Sequence, residues 1–130
     1  MRLFRSMRES PDHLPKPGPS ARLLGVRPGN DQTPDVSAIQ PTDMIHPGRE
    51  GMSVAPDDPM FLPKHRRPSS LGGLGKEPVW YLESDDLGPD LEFLQERLEH
   101  GVIAPSKPMT LQEYQEALAK TRSRWKIECR

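Results

Sequence analysis

Apolar positions gather in short bursts along the chain, and stripes at helical spacing occur only in its last third. "RLFR", from Arg2 to Arg5, alternates polar and apolar side chains and reads as an edge strand. Residues 10–20, "SPDHLPKPGPS", hold four prolines and predict an exposed, turn-rich connection. "ARLLGVRP" brings Leu23, Leu24 and Val26 together, a pattern that suits either a strand or a single helical turn. Over residues 30–51 the apolar anchors stand alone at Val36, Ile39, Met44 and Ile45. Prolines at 34, 41 and 47 keep any helix there short.

The second half is better patterned. Val79, Trp80, Tyr81 and Leu82 form an unbroken run of β-formers between Pro78 and the turn "SDDLGPD", which predicts a strand covered on both faces. "DLEFLQERLEH" carries two periods at once. Leu91, Leu94 and Leu98 fall at helical spacing, whereas Leu91 and Phe93 alternate around Glu92 as a strand would. "HGVIAP" reads as a short strand closed by Pro105. After Pro108, Thr110 and Glu113 make the capping box T-x-x-E. Leu111, Tyr114, Leu118 and Trp125 then share one stripe, with Thr121 in its gap. This predicts a C-terminal helix whose stripe packs on a sheet. The whole is an α+β arrangement of about four to six short strands, one helix and long Pro/Gly-rich loops, in a single domain over residues 1–130.

Composition narrows the picture. Apolar residues make up 33% of the chain, and adding its ten glycines still leaves it below the usual share of roughly 45–50% including glycine, so the core is thin. Sixteen prolines and ten glycines brace its loops. A net charge of −1 argues against a bulk electrostatic grip on nucleic acid. The single cysteine, Cys129, permits no intrachain disulfide and fits a reducing compartment. "MRLFRSMRES" lacks the apolar run of a signal peptide, and no stretch reaches the roughly 18 apolar residues of a membrane span. A cytoplasmic location, in the producing or the target cell, is the expectation.

Few motifs carry chemistry. His13, His46, His65 and His100 have no metal-ligand spacing, so no metal site is expected. The pairs Asp57-Asp58 and Asp85-Asp86 sit beside proline or glycine, where aspartate makes turns. "KHRRPSS" is the one concentrated basic run. It reads as a solvated turn or as a site for anionic phosphate, and Arg66-Arg67-x-Ser69 has the form of a basophilic kinase site. "LGGLG" lacks the P-loop framework and reads as a flexible hinge into the strand at Val79. Ser53 lies in "GMSVAP", without the elbow of a serine hydrolase.

Four segments in order, "LFR", "HPGREGMSVAPDDP", "VWYLESDDLGPDLEF" and "HGVIAPSKPMTLQEY", resemble the ADP-ribosyltransferase toxin domain typified by the second exported toxin of a bacterial type VI secretion system, which has fungal relatives. The resemblance covers most of the chain. It implies a split, strongly bent mixed sheet that clamps NAD in a cleft between its halves, and it favours the strand reading of Leu91 to Gln95. It implies that Arg5 is the first-strand arginine that holds NAD, and that Ser53 is the middle-strand hydroxyl of the nicotinamide pocket. His100 matches a histidine that opens the last strand, giving Arg5, Ser53 and His100 as the expected catalytic set. The chain departs from that toxin at Met52, where the toxin carries threonine, and no glutamate falls in an E-x-E or Q-x-E position. Glu96 and Glu99 are the acids nearest to such a place.

Such an enzyme must hold the diphosphate while the nicotinamide–ribose bond breaks and an oxocarbenium-like sugar develops. Arginine suits bidentate phosphate contacts better than lysine. The expected activity is NAD-dependent ADP-ribosyl transfer to an intracellular acceptor, with a cognate immunity protein as a further partner. The alternative is an inactive descendant that keeps the fold as a binding module. "GREGMSV" would approach and begin the middle strand, and "APDDPMFLPKHRRPSSLGGLG" would be the loop beside the cleft.

Overall fold

Two hydrogen-bonded sheets and one α-helix account for the regular structure, and the computed structural model describes every residue, 1–130. In chain order the strands are β1 (Arg2–Ser6), β2 (Met44–Ile45), β3 (Met52–Pro56), β4 (Val79–Glu83), β5 (Leu91–Arg97), β6 (His100–Pro105), β7 (Met109–Thr110) and β8 (Lys126–Cys129). The helix α1 spans Leu111–Ala119, between β7 and β8. Six strands form one sheet in the order β5-β6-β3-β1-β4-β8, and β2 pairs with β7 beside α1. Every named pair is antiparallel, and the one parallel contact is the isolated bridge between Pro17 and Leu24. This is the expected α+β architecture.

The edge-strand reading of "RLFR" is corrected: β1 lies inside the sheet, between β3 and β4. Its alternation misleads because the polar position is not wet. Leu3, Phe4, Arg5 and Ser6 are all buried, with Leu3 in the main core and Phe4 in a smaller cluster with Ala55, Leu62 and Val79. β1 holds β4 over five residue pairs, but β3 over only two, Leu3–Pro56 and Phe4–Ala55. Beyond Phe4 the ladder to β3 stops. The sheet divides there into a β5-β6-β3 half and a β1-β4-β8 half, which is the expected split.

Pairing also decides the ambiguous segment. β5 runs antiparallel to β6, from Leu91–Pro105 to Arg97–His100. Leu91 is buried and Phe93 packs on the core, whereas Leu98 is 72% exposed in the turn, so the alternating period prevails over the helical one.

The capping box forms as expected. Thr110 Oγ1 accepts from the Glu113 amide at 3.1 Å, and the Glu113 carboxylate accepts from the Thr110 amide at 3.0 Å. Leu111, Tyr114 and Leu118 are buried, but the helix stops at Ala119, short of the full stripe. The Thr121 hydroxyl donates to the Leu118 carbonyl at 2.7 Å and accepts from Trp125 Nε1 at 2.9 Å. A 3₁₀ turn at Arg122–Arg124 follows, so Trp125 enters the core from outside the helix and leads into β8. Sequence reading missed β8.

Elsewhere, residues 21–28 form neither a strand nor a helical turn, although Leu24 and Val26 are buried. Of the isolated anchors, Val36 and Ile45 are core, while Ile39 and Met44 are exposed. No helix forms over residues 30–51. Asp57 takes a left-handed φ of 68°, and Asp58 accepts from the Met60 amide at 2.9 Å, so both acids serve a turn. No helix is long and apolar enough to cross a membrane.

Candidate active site

A cleft of about 260 Å³ opens at the split in the sheet. It is lined by Arg5 and Ser6 from β1, Ser53, Val54 and Ala55 from β3, and His100 from β6. Arg27 and Asp35 close one wall, and Phe61, Leu62, Pro63, His65 and Arg66 from the loop after β3 close another. The three residues singled out in the sequence, Arg5, Ser53 and His100, therefore line one cleft, although 95 positions separate the first from the last.

Arg5 sits one residue past the last β1–β3 pair and spans the gap that opens there. Its Nη1 donates to the Ser53 carbonyl at 2.8 Å. Nε and Nη2 donate to the Leu23 carbonyl at 3.2 and 2.9 Å, and Nη2 reaches those of Ser20 and Gly25 at 3.3 Å. The side chain thus replaces the missing ladder with four backbone carbonyls. It has no carboxylate partner. Burial pushes its pKa down to about 10, against a smaller opposing pull from Asp35, and it stays charged at neutral pH. A guanidinium carries five N–H donors, so one Nη1 hydrogen remains without an acceptor.

Ser53 and Met52 face opposite ways, as neighbours on a strand must. Met52 is fully buried in the main core, so the residue that departs from the toxin lies off the cleft wall. Ser53 lines the cleft and is half-buried, and its hydroxyl makes no hydrogen bond. Its strand is held from below by Tyr114 of α1. The Tyr114 hydroxyl accepts from the Met52 amide at 3.0 Å and donates to the Ile103 carbonyl, where β3 meets β6. Burial pushes the Tyr114 pKa upward, which keeps this clip protonated.

His100 opens β6, but two strands follow it, so it does not begin the last strand of this chain. Its Nδ1 is buried without a hydrogen bond, and Glu96 Oε1 is 3.7 Å away. Glu99, in the turn between β5 and β6, lines the cleft and is paired with Arg97 at 2.9 Å. The pairing of β5 with β6 thus places Glu99 on the cleft. Glu96 lines a shallower depression that shares Asp35, Ser53 and His100 with it.

Arg27 and Asp35 had no role assigned from the sequence, and Arg66 had only the reading of its run as a solvated turn or a site for anionic phosphate. Arg27 meets Asp35 in a two-pronged ion pair at 3.1 and 2.9 Å and donates to Thr33 Oγ1 at 2.7 Å. That hydrogen-bonded pairing raises its pKa. Their spacing matches no motif, so nothing in the chain announces the pair. Arg66 was visible only as part of "KHRR". Its guanidinium has no hydrogen-bond or ion-pair partner, and burial, then the nearby Arg27 and Arg22, lower its pKa. Arg67, beside it, is tied into the loop through Nη1 to the Leu71 carbonyl at 2.9 Å. With Arg27 neutralised by Asp35 and Glu99 by Arg97, the charges left over are those of Arg5 and Arg66. The cleft favours an anion.

The family model described as Tse2 ADP-ribosyltransferase toxin matches residues 2–127. The chain belongs to this family. No curated protein and no solved structure matches it. The match spans five strands of the main sheet and the first half of β8, so the divided sheet and its cleft are those of an ADP-ribosyltransferase toxin family member. ADP-ribosyl transfer implies NAD as the donor substrate.

Proposed function

We propose that the protein is an NAD-dependent ADP-ribosyltransferase that poisons a cell from within, with Arg5, Ser53 and His100 as its working residues. The observation that carries this reading is the free Ser53 hydroxyl on the cleft wall, on a strand whose backbone is fixed by the buried Arg5 cation. NAD supplies the ADP-ribosyl group and a nicotinamide leaving group. Ser53 orients the nicotinamide or its ribose without adding charge. Arg5 fixes the position of Ser53 and holds an uncompensated positive charge beside the cleft. His100 lines the cleft from β6, the strand paired with β3, and stands near Ser53 where the sugar would lie. Such preorganised polar groups lower the barrier because they need no reorganisation during reaction. Delivery as a type VI effector and neutralisation by an immunity protein covering the cleft belong to the same proposal.

A second reading is an inactive descendant that still binds. It draws on one observation: most Arg5 donors already have backbone acceptors. Calorimetric titration of NAD and chromatography of free nicotinamide separate the two. The enzyme reading expects binding and nicotinamide release by the wild type. It also expects release at least about tenfold slower in Ser53→Ala at an unchanged melting temperature. Binding without release selects the inactive descendant. A folded wild type that binds no NAD overturns both.

A further inference from the structure

We infer that Arg66, on the loop after β3, is the group that grips the diphosphate of the donor dinucleotide. This rests on the donor reading above and assigns a task that the first-strand arginine is not free to perform. The three arginines of the cleft differ in what their forks already hold. Arg5 is engaged by four carbonyls and Arg27 by Asp35 and Thr33, whereas Arg66 holds nothing. An arginine fork reads a diphosphate through two parallel charge-assisted hydrogen bonds, and only a free fork does so without first breaking contacts.

The loop is built to hold Arg66 in place. It folds as 3₁₀ turns at Pro59–Phe61, Lys64–Arg66 and Ser69–Leu71. The Arg66 amide donates to the Pro63 carbonyl at 2.8 Å, Leu74 to Lys64 at 3.0 Å, and Gly75 to Arg67 at 2.7 Å, so the loop closes on itself around this residue. A Cβ on Gly73 would lie 2.1 Å from the Arg67 carbonyl oxygen, and one on Gly75 2.8 Å from the Arg66 carbonyl carbon. "LGGLG" is therefore a packed corner and not a hinge. Its glycines let the returning chain press against the backbone that carries Arg66.

Position agrees with the task. Arg66 lines the cleft and also a neighbouring depression of about 330 Å³, where Lys76 stands beside the Arg22–Glu77 ion pair at 2.8 Å. At about 260 Å³ the cleft is smaller than the roughly 300–1,000 Å³ of small-ligand sites, so a dinucleotide seated by its nicotinamide end fills it and continues past Arg66. The diphosphate lies midway along such a molecule. Arg27 and Arg22 near Arg66 are each paired with a carboxylate, Asp35 and Glu77, so Arg66 is the cation there with no counter-charge of its own.

The test titrates inorganic pyrophosphate, NAD and nicotinamide riboside, which lacks the diphosphate, into the wild type, Arg66→Gln and Arg66→Lys. Arg66 has no partner to lose, so Arg66→Gln keeps the wild-type melting temperature. The expected result is a loss of about tenfold to a hundredfold in pyrophosphate and NAD affinity for Arg66→Gln, a smaller loss for Arg66→Lys, and unchanged riboside binding. NAD and pyrophosphate binding equal to wild type in Arg66→Gln overturns the inference alone. Pyrophosphate binding that depends on Arg66, with no NAD binding by the wild type, overturns the donor reading and leaves Arg66 as a diphosphate site. Failure of the wild type to bind either overturns both.

Discussion

Arg5 and Arg66 line the same cleft and carry the same fork, yet the fold treats them as opposites. Arg5 stands where the sheet parts, and its donors replace backbone pairing between β1 and β3 while securing residues 20–25. Arg66 stands on a loop that supplies it with a fixed backbone and no partner. One arginine maintains the cleft, and the other is left for what enters it. The difference teaches that residue type and proximity to a site do not assign a role. What decides is which donors the fold has already taken.

Four substitutions test that contrast through urea unfolding. Arg5→Ala should cost most, about 3 kcal/mol or more, because hydrogen bonds from a charged group to four carbonyls are lost, and outside the regular strands only that of Ser20 keeps another donor, the Leu23 amide. A loss below about 1 kcal/mol would break the comparison, since water would then be serving those carbonyls equally well. Tyr114→Phe comes next, at about 1–3 kcal/mol, because it strands the buried Met52 amide and Ile103 carbonyl where β3 meets β6. Faster hydrogen exchange at the Met52 amide should accompany it. Gln115→Ala should cost about 1 kcal/mol. It removes the side chain that accepts from the Val26 amide at 3.3 Å and donates to its carbonyl at 3.0 Å, loosening the segment Arg5 grips while sparing Arg5 itself. Arg66→Gln should move stability by no more than about 0.5 kcal/mol. A larger loss there would show that Arg66 also serves the fold, and the two arginines would no longer differ in kind.

What was legible in the sequence was what local rules govern. The run from Val79 to Leu82, the strand at His100 and the capping box at Thr110 and Glu113 each needed only near neighbours, and each formed. Position within a sheet is a long-range property. β1 looked like an edge because its polar position holds an arginine, and only the distant carbonyls of Leu23 and Ser53 explain how that arginine is buried. β8 was hidden because the stripe from Leu111 continues in register to Trp125, although the Thr121 hydroxyl takes a helix-end carbonyl and a turn follows. The cleft was half legible. Arg5, Ser53 and His100 came from the family resemblance and do line one cavity. The Arg27–Asp35 pair has no motif, and the solitude of Arg66 is a fact about neighbours that no reading of "KHRR" contains.

The two-pair joint between the half-sheets has a consequence for how unfolding is observed. Both tryptophans belong to the β1-β4-β8 side, Trp80 within β4 with its Nε1 bonded to the Met7 carbonyl at 2.8 Å, and Trp125 at the entrance to β8. Intrinsic fluorescence therefore follows one half of the sheet, while far-ultraviolet circular dichroism follows both. While Arg5 couples the halves, the two signals fall in one cooperative transition. Once that coupling is cut, they part, and the gap between the two midpoints measures how far one half outlasts the other.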